Sequence, residues 1–119
     1  MKVCRASIAL LTLLTALSAE AACDRPSTTP PVVPNGAQAD EASMKQAHDT
    51  IQDYVRQLEA YKACIKELAA NSPAGTTDEQ RVAWVGQGDA AVDAANYIAN
   101  QFSVALKQFK ERPAQPAKP

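Results

Sequence analysis

The segment MKQAHDTIQDYVRQLEAYKACIKEL, residues 44–68, decides the fold of this chain. Apolar side chains recur in it every seven residues, in two rows offset by three residues. One row is Met44, Ile51, Leu58 and Ile65, and the other is Ala47, Tyr54, Tyr61 and Leu68. Heptads with both rows filled are typical of an amphipathic helix that packs against another helix. Asp40, Glu41 and Ser43 supply capping and first-turn groups, so the pattern predicts a helix over about 40–70.

The residues after this segment predict a turn over about 71–77 and a second helix over about 78–112. Asn71 to Gly75 combine turn-forming residues with a proline, and Thr77 or Asp78 can cap the second helix. The expected core rows of the second helix are Val85, Val92, Ala99 and Leu106, with Gly88, Ala95, Phe102 and Phe109. The expected fold class is therefore all-α: an antiparallel, coiled-coil-like two-helix hairpin. Residues 113–119, rich in proline and alanine, predict a disordered tail.

Residues 22–39 predict an extended arm that precedes the first helix. Proline recurs in this segment, at Pro26, Pro30, Pro31 and Pro34. Because proline fixes φ and lacks an N–H, the arm cannot be helical and should run close to polyproline II. At about 3.1 Å per residue, the arm is long enough to double back along the helix as far as Cys64.

A disulfide between Cys23 and Cys64 would hold the arm in that position. Cys64 lies on the flank of the first helix, beside a partly apolar groove. We expect the groove to be lined by Thr50, Gln57, Trp84, Ala91, Ile98 and Ala105. Val32 and Val33 would then cover it. A hairpin with a single seam has a thin core, so a bridge would supply needed stability. An intermolecular bridge through either cysteine is the alternative.

The first 21 residues read as a secretory signal peptide. Lys2 and Arg5 form a positive start, 6–17 is an apolar run, and Ala19 to Ala21 has the small-x-small form of a cleavage site. Cleavage would discard Cys4 and leave an even pair of cysteines in an oxidising compartment, where a disulfide is the default. The sequence therefore predicts export, to the bacterial periplasm as the leading location.

Two kinds of membrane attachment are less consistent with the same region. The apolar part of the leader is short for a membrane span, and no second apolar run comes after it, so no span is expected after cleavage. Lipidation of Cys23 is an alternative. It is disfavoured because Glu20 stands where a bacterial lipobox has a leucine-like residue.

Charge and motifs argue against several classes of function. Loss of Lys2, Arg5 and Glu20 from the 12 basic and 13 acidic residues leaves a net charge of −2, which argues against nucleic-acid binding. No catalytic or cofactor motif is present, so we expect neither an enzyme nor a cofactor. Met44 and His48, one helical turn apart, are a weak alternative metal site, since two ligands are too few.

The apolar arc of the second helix is wider than one seam needs. Five residues extend it and form the expected interaction surface: Trp84, Ala91, Tyr97, Ile98 and Val104. Such a surplus apolar face indicates a homodimer or a contact with another envelope protein.

The start of the mature chain resembles small exported proteobacterial proteins of uncharacterised function. The resemblance depends on Cys23 with a proline-rich start, on a Pro-Asn-Gly turn at 34–36, and on a helix with the Tyr-x-x-Cys motif at 61–64. It covers about residues 23–64 and implies an exported helical protein with paired cysteines. It implies no particular activity.

Three functions fit these expectations. The leading hypothesis is a non-enzymatic periplasmic protein that acts in protein–protein interaction or envelope structure. The second is a carrier of a small ligand or a metal ion. The third is an envelope-stress chaperone that offers its apolar surface to unfolded proteins.

Overall fold

The computed structural model of the protein describes residues 23–27 and 29–113. Within these residues the chain forms two helices, α1 (Glu41–Ala70) and α2 (Asp78–Glu111), and no strand. Each helix differs from its predicted range by one residue at one end. The predicted signal peptide and all of the predicted tail except Pro113 lie outside the described residues.

Local hydrogen bonds explain where the helices begin and how the chain turns between them. Asp40 caps α1, since its carboxylate accepts a hydrogen bond from the Ser43 N–H at 2.7 Å. Thr77 caps α2 in a reciprocal box with Gln80, in which each side chain accepts from the other's N–H, at 3.2 and 3.0 Å. In the connection, Gly75 has a φ of 88°, a conformation that glycine adopts without strain.

The two helices are antiparallel and pack along their length. Near one end of the hairpin, the Tyr61 hydroxyl donates to Gln87 Oε1 at 3.2 Å. Near the other, the rings of His48 and Phe102 lie 5.8 Å apart between centroids. The buried residues of α1 are Met44, Ile51, Tyr54, Leu58, Tyr61 and Ile65, and Ala47 and Leu68 are half-buried. The all-α hairpin and the core face of α1 are therefore confirmed.

The buried face of α2 is rotated from the predicted one. Of the row expected to face α1, Val85 and Ala99 are exposed, and Val92 and Leu106 are only half-buried. The buried residues of α2 are Gly88, Ala91, Ile98 and Ala105. Ala91, Ile98 and Ala105 each precede a residue of the predicted row by one position, which is a rotation of about 100° around the helix. The reason is that α2 packs against the arm as well as α1, so its most enclosed side chains lie between the two.

The arm doubles back along the hairpin, as expected from its length. Its first described residue, Cys23, is bonded to Cys64, and its last residues lie beside the far end of α2. Val33 packs against the buried core cluster. Val32 was expected to cover the same groove, but it is 87% exposed. Adjacent residues of an extended chain point in different directions, and here Val33 faces the helices while Val32 faces solvent.

Candidate interaction surface

The disulfide fixes the start of the arm in the core. The Cys23–Cys64 bridge has a Cα–Cα distance of 5.8 Å, and Cys23 is among the most deeply buried residues described. Four residues along the arm, the carbonyl of Ser27 accepts a hydrogen bond from the Tyr54 hydroxyl at 3.3 Å. The arm is therefore part of the core at this end.

A compact turn fixes the other end of the arm. The Asn35 side chain accepts from the Ala37 N–H at 3.0 Å, and its carbonyl accepts from the N–H groups of Gln38 and Ala39 at 3.0 and 2.8 Å. This turn presses Gly36 against the backbone of Ala105, so closely that a Cβ on Gly36 would overlap the Ala105 carbonyl. The Pro-Asn-Gly turn is visible in the sequence, but this contact was not predicted, and no sequence signal reveals it.

A second contact joins the end of the arm to the end of α2. Arg112 donates from its guanidinium to the carbonyl of Ala39, and the same guanidinium lies 4.3 Å from the centroid of the Phe109 ring. The arm is thus held at three points along the hairpin: the disulfide, the Gly36 turn and Arg112. It closes the side of the hairpin that the sequence predicted it would cover.

The five residues of the predicted interaction surface do not form one surface. Ala91 and Ile98 are buried, with Ile98 only 2% exposed, and Trp84 is half-buried against the same core cluster. Ala91 and Ile98 therefore cannot belong to an exposed docking face, and Trp84 offers only part of its surface. Tyr97 and Val104, in contrast, are 62% and 55% exposed.

Tyr97 and Val104 belong to an exposed row of α2 that we name the α2 ridge. Its members are seven residues apart and all exposed: Ala83, Ala90, Tyr97 and Val104. The spacing places them in one line on the helix. Tyr97 and Val104 project to solvent, whereas Ala83 and Ala90 lie at the border with the arm and α1.

A shallow groove of about 400 Å³ borders the first half of the α2 ridge. The arm contributes Pro26 and Ser27 to its walls, α1 contributes Tyr54 and Tyr61, and α2 contributes small residues such as Ala90. The two tyrosine hydroxyls already donate within the chain, to Ser27 and Gln87. The groove thus offers mainly apolar contact.

Met44 and His48 have separate surroundings. Met44 is 4% exposed and packs in the core. His48 is exposed, its Nδ1 lies 3.3 Å from Asp49 Oδ1, and its ring contacts Phe102. Among the described residues, no cluster of three or more histidine, cysteine, aspartate or glutamate side chains is placed to hold a metal ion.

Among the described residues, no helix is both long and apolar enough to cross a membrane.

Comparison with known proteins finds no matching family model, no similar curated protein and no similar solved structure.

Proposed function

We propose that this protein is a non-enzymatic helical protein, exported to the bacterial periplasm, that acts in protein–protein interaction or envelope structure. The observation that carries the proposal is the α2 ridge. The chain covers one side of its hairpin with its own arm, yet leaves Tyr97 and Val104 in line and exposed on another side. Large apolar side chains aligned along one helix are typical of a surface that binds another protein.

The covalent construction of the hairpin supports the same function. A disulfide and a docked arm hold α1 and α2 together, so the ridge lies on a preorganised surface. Binding to such a surface loses less conformational entropy than binding to one that must fold first. Rigid presentation of a helix face suits a binding or structural component.

Export is supported by three features of the sequence and the bridge. The N-terminal residues have the pattern of a cleavable leader. Disulfides persist in oxidising compartments such as the periplasm. The resemblance of the first half of the mature chain to small exported proteobacterial proteins agrees with that location.

The proposal is tested by recovering the protein and its partners from the cell envelope. Cells that produce the full chain are fractionated, and we expect a periplasmic protein that begins at Ala22 and carries an oxidised Cys23–Cys64 pair. Mass spectrometry of native material measures both properties. Full-length protein with free thiols in the cytosol would contradict the export part of the proposal.

The purified mature protein then serves as bait for the envelope fraction. We expect specific capture that is lost in the variant with Tyr97→Asp and Val104→Asp. The control is Val85→Asp, which places an aspartate on a different exposed face of α2 and should leave capture unchanged. Equal capture by all three proteins would rule out the ridge as the binding surface.

One observation favours the carrier as the second candidate. The groove between the arm, α1 and α2 is mainly apolar and of a volume suited to a small ligand. Saturable binding of an apolar fluorescent probe, lost when Ala90→Trp fills the groove, would favour it.

Two other functions have their own tests. A metal carrier would require a copper-dependent spectral change that His48→Ala removes. A chaperone would suppress aggregation of a model client.

A further inference from the structure

The α2 ridge has the spacing of a helix–helix contact but no partner within the described chain. We propose that it is the contact surface of a symmetric dimer, in which α2 of one copy packs antiparallel against α2 of a second copy. The two-fold axis passes near Tyr97. The inference deepens the proposed function, on which it rests, because it names a second copy of this chain as a partner.

The sizes of the side chains along the ridge favour an antiparallel arrangement. The first half of the ridge carries Ala83 and Ala90, and the second half carries Tyr97 and Val104. With the axis near Tyr97, Val104 of one copy lies opposite Ala90 of the other. On either side of the axis a large residue then faces a small one, and at the axis the two Tyr97 side chains lie next to each other. A parallel pair would align the alanines with one another and leave that end poorly packed.

The charged residues that flank the ridge also change sign along α2, from acidic beside its first half to basic beside its second half. Asp89 and Asp93 are exposed on the flank of its first half, and Lys107 is exposed on the same flank of its second half. In an antiparallel two-fold dimer these flanks lie side by side, so the first half of the flank in one copy is next to the second half in the other. Asp89 of one copy then lies opposite residue 105 of the other, within one turn of Lys107. Symmetry repeats this pairing of opposite charges at the other end of the contact.

The arrangement of charges favours a second copy of this chain as the partner that binds the ridge. Within its own chain, Lys107 has an exposed contact with Glu111 at 4.0 Å, a weak pairing that leaves the ammonium accessible. Complementary charges in reverse order along one helix match that helix itself when it is inverted. From Ala83 to Val104 the ridge is about 32 Å long, which gives a small contact, so we expect a dimer that dissociates on dilution.

The position of the axis is tested by cross-linking the oxidised mature protein. Tyr97→Cys places two thiols next to the axis, and a short bismaleimide should join them into a covalent dimer. Val85→Cys is the matched control: it is also exposed, on a different face of α2, and should cross-link weakly. Mass spectrometry verifies in each variant that the Cys23–Cys64 bridge is intact.

The charge pairing is tested by reversal and rescue in sedimentation equilibrium. Lys107→Glu places like charges opposite each other twice per dimer, and should weaken self-association by about tenfold. Adding Asp89→Lys should restore it. Added salt should weaken the wild-type dimer and strengthen that of Lys107→Glu, because screening reduces both attraction and repulsion.

A wild-type protein that stays monomeric at all accessible concentrations would overturn the inference, as would equal cross-linking at positions 85 and 97. A dimer that Lys107→Glu does not weaken would overturn this register. These results differ from failure of the proposed function. If the protein is monomeric but the envelope pull-down still captures a partner through Tyr97 and Val104, the function stands and only the dimer is excluded.

Discussion

Gly36 shows how one residue positions the arm. The Asn35-centred turn brings its backbone against the carbonyl of Ala105, a buried residue of α2. The contact requires a missing side chain, whereas glycine at Gly75 is required by a positive φ. The two glycines are thus needed for different physical reasons.

Replacing Gly36 by alanine should release the end of the arm. The new methyl group would overlap backbone atoms that no rotamer change can move, so we expect a loss of about 1–3 kcal/mol in the free energy of unfolding. Chemical denaturation measures this loss, and faster hydrogen exchange at the Gln38 and Ala39 amides would locate it.

Gly86→Ala is the matched control for this substitution. No heavy atom lies within 4 Å of a Cβ built at Gly86, on the surface of α2. Alanine there should stabilise the protein by about 1 kcal/mol through its higher helix propensity. If Gly36→Ala unfolds at the same denaturant concentration as the wild type, the close contact with Ala105 does not hold the arm.

The first helix, α1, begins at a charged cap. Hydrogen bonds from the side chain and backbone of Ser43 lower the pKa of Asp40 below its ordinary value of 3.8, and the charge of Arg112 adds to the effect. Because the folded state favours the ionised carboxylate, this group stabilises the fold above its unfolded pKa. The contribution is lost as the pH falls through the lowered folded pKa.

The stability of the wild type should therefore fall more steeply in acid than that of Asp40→Asn. Asparagine keeps an oxygen that accepts from the Ser43 N–H but does not titrate. We expect the difference in melting temperature between the two proteins to shrink as the pH falls from about 7 through 3.8 and below. A difference that stays constant with pH would show that ionisation of Asp40 contributes nothing to the fold.

The face of α2 illustrates why a helix can be predicted more readily than its orientation. Alanine, valine and aromatic residues fill several adjacent rows of α2, so more than one row fits a heptad seam. In α1, charged and amide residues border the apolar rows, and the core row is unambiguous. The row that contains Ile98 is buried in α2 because the arm packs there as well as α1.

Across the whole fold, the disulfide connects the arm to α1. It closes a loop over a sequence separation of 41 residues, which includes the arm and most of α1. Loop closure of that length contributes about 4 kcal/mol by restricting the unfolded chain. For a hairpin with one seam, this is a large share of the stability expected for a small domain.

Reduction should free the arm before it unfolds the helices. We expect the Cys23→Ser, Cys64→Ser double variant to lose about 4 kcal/mol of stability. Its helical circular dichroism should be largely retained at low temperature. Hydrogen exchange should rise first in 24–39 and only later in α1 and α2. Simultaneous loss of protection in the arm and both helices would mean that the hairpin cannot form without the bridge.

The helices, the turn and the arm can be predicted from local sequence patterns. The two heptad rows of α1, the proline-rich arm, the turn before Thr77 and the reach of Cys23 to Cys64 all result from local periodicity, fixed proline geometry and chain length. These are properties of neighbouring residues, so they can be predicted without knowing what packs where.

Only the folded structure shows how deeply each apolar residue of α2 is enclosed. Packing of the arm and α1 on α2 buries Ala91 and Ile98 and leaves Tyr97 and Val104 outside, although all four are apolar residues of the same helix. Burial depends on two contacts at once, one between helices and one between helix and arm. Their combined geometry is a property of the assembled chain, since no local pattern specifies how far α2 rotates to satisfy both.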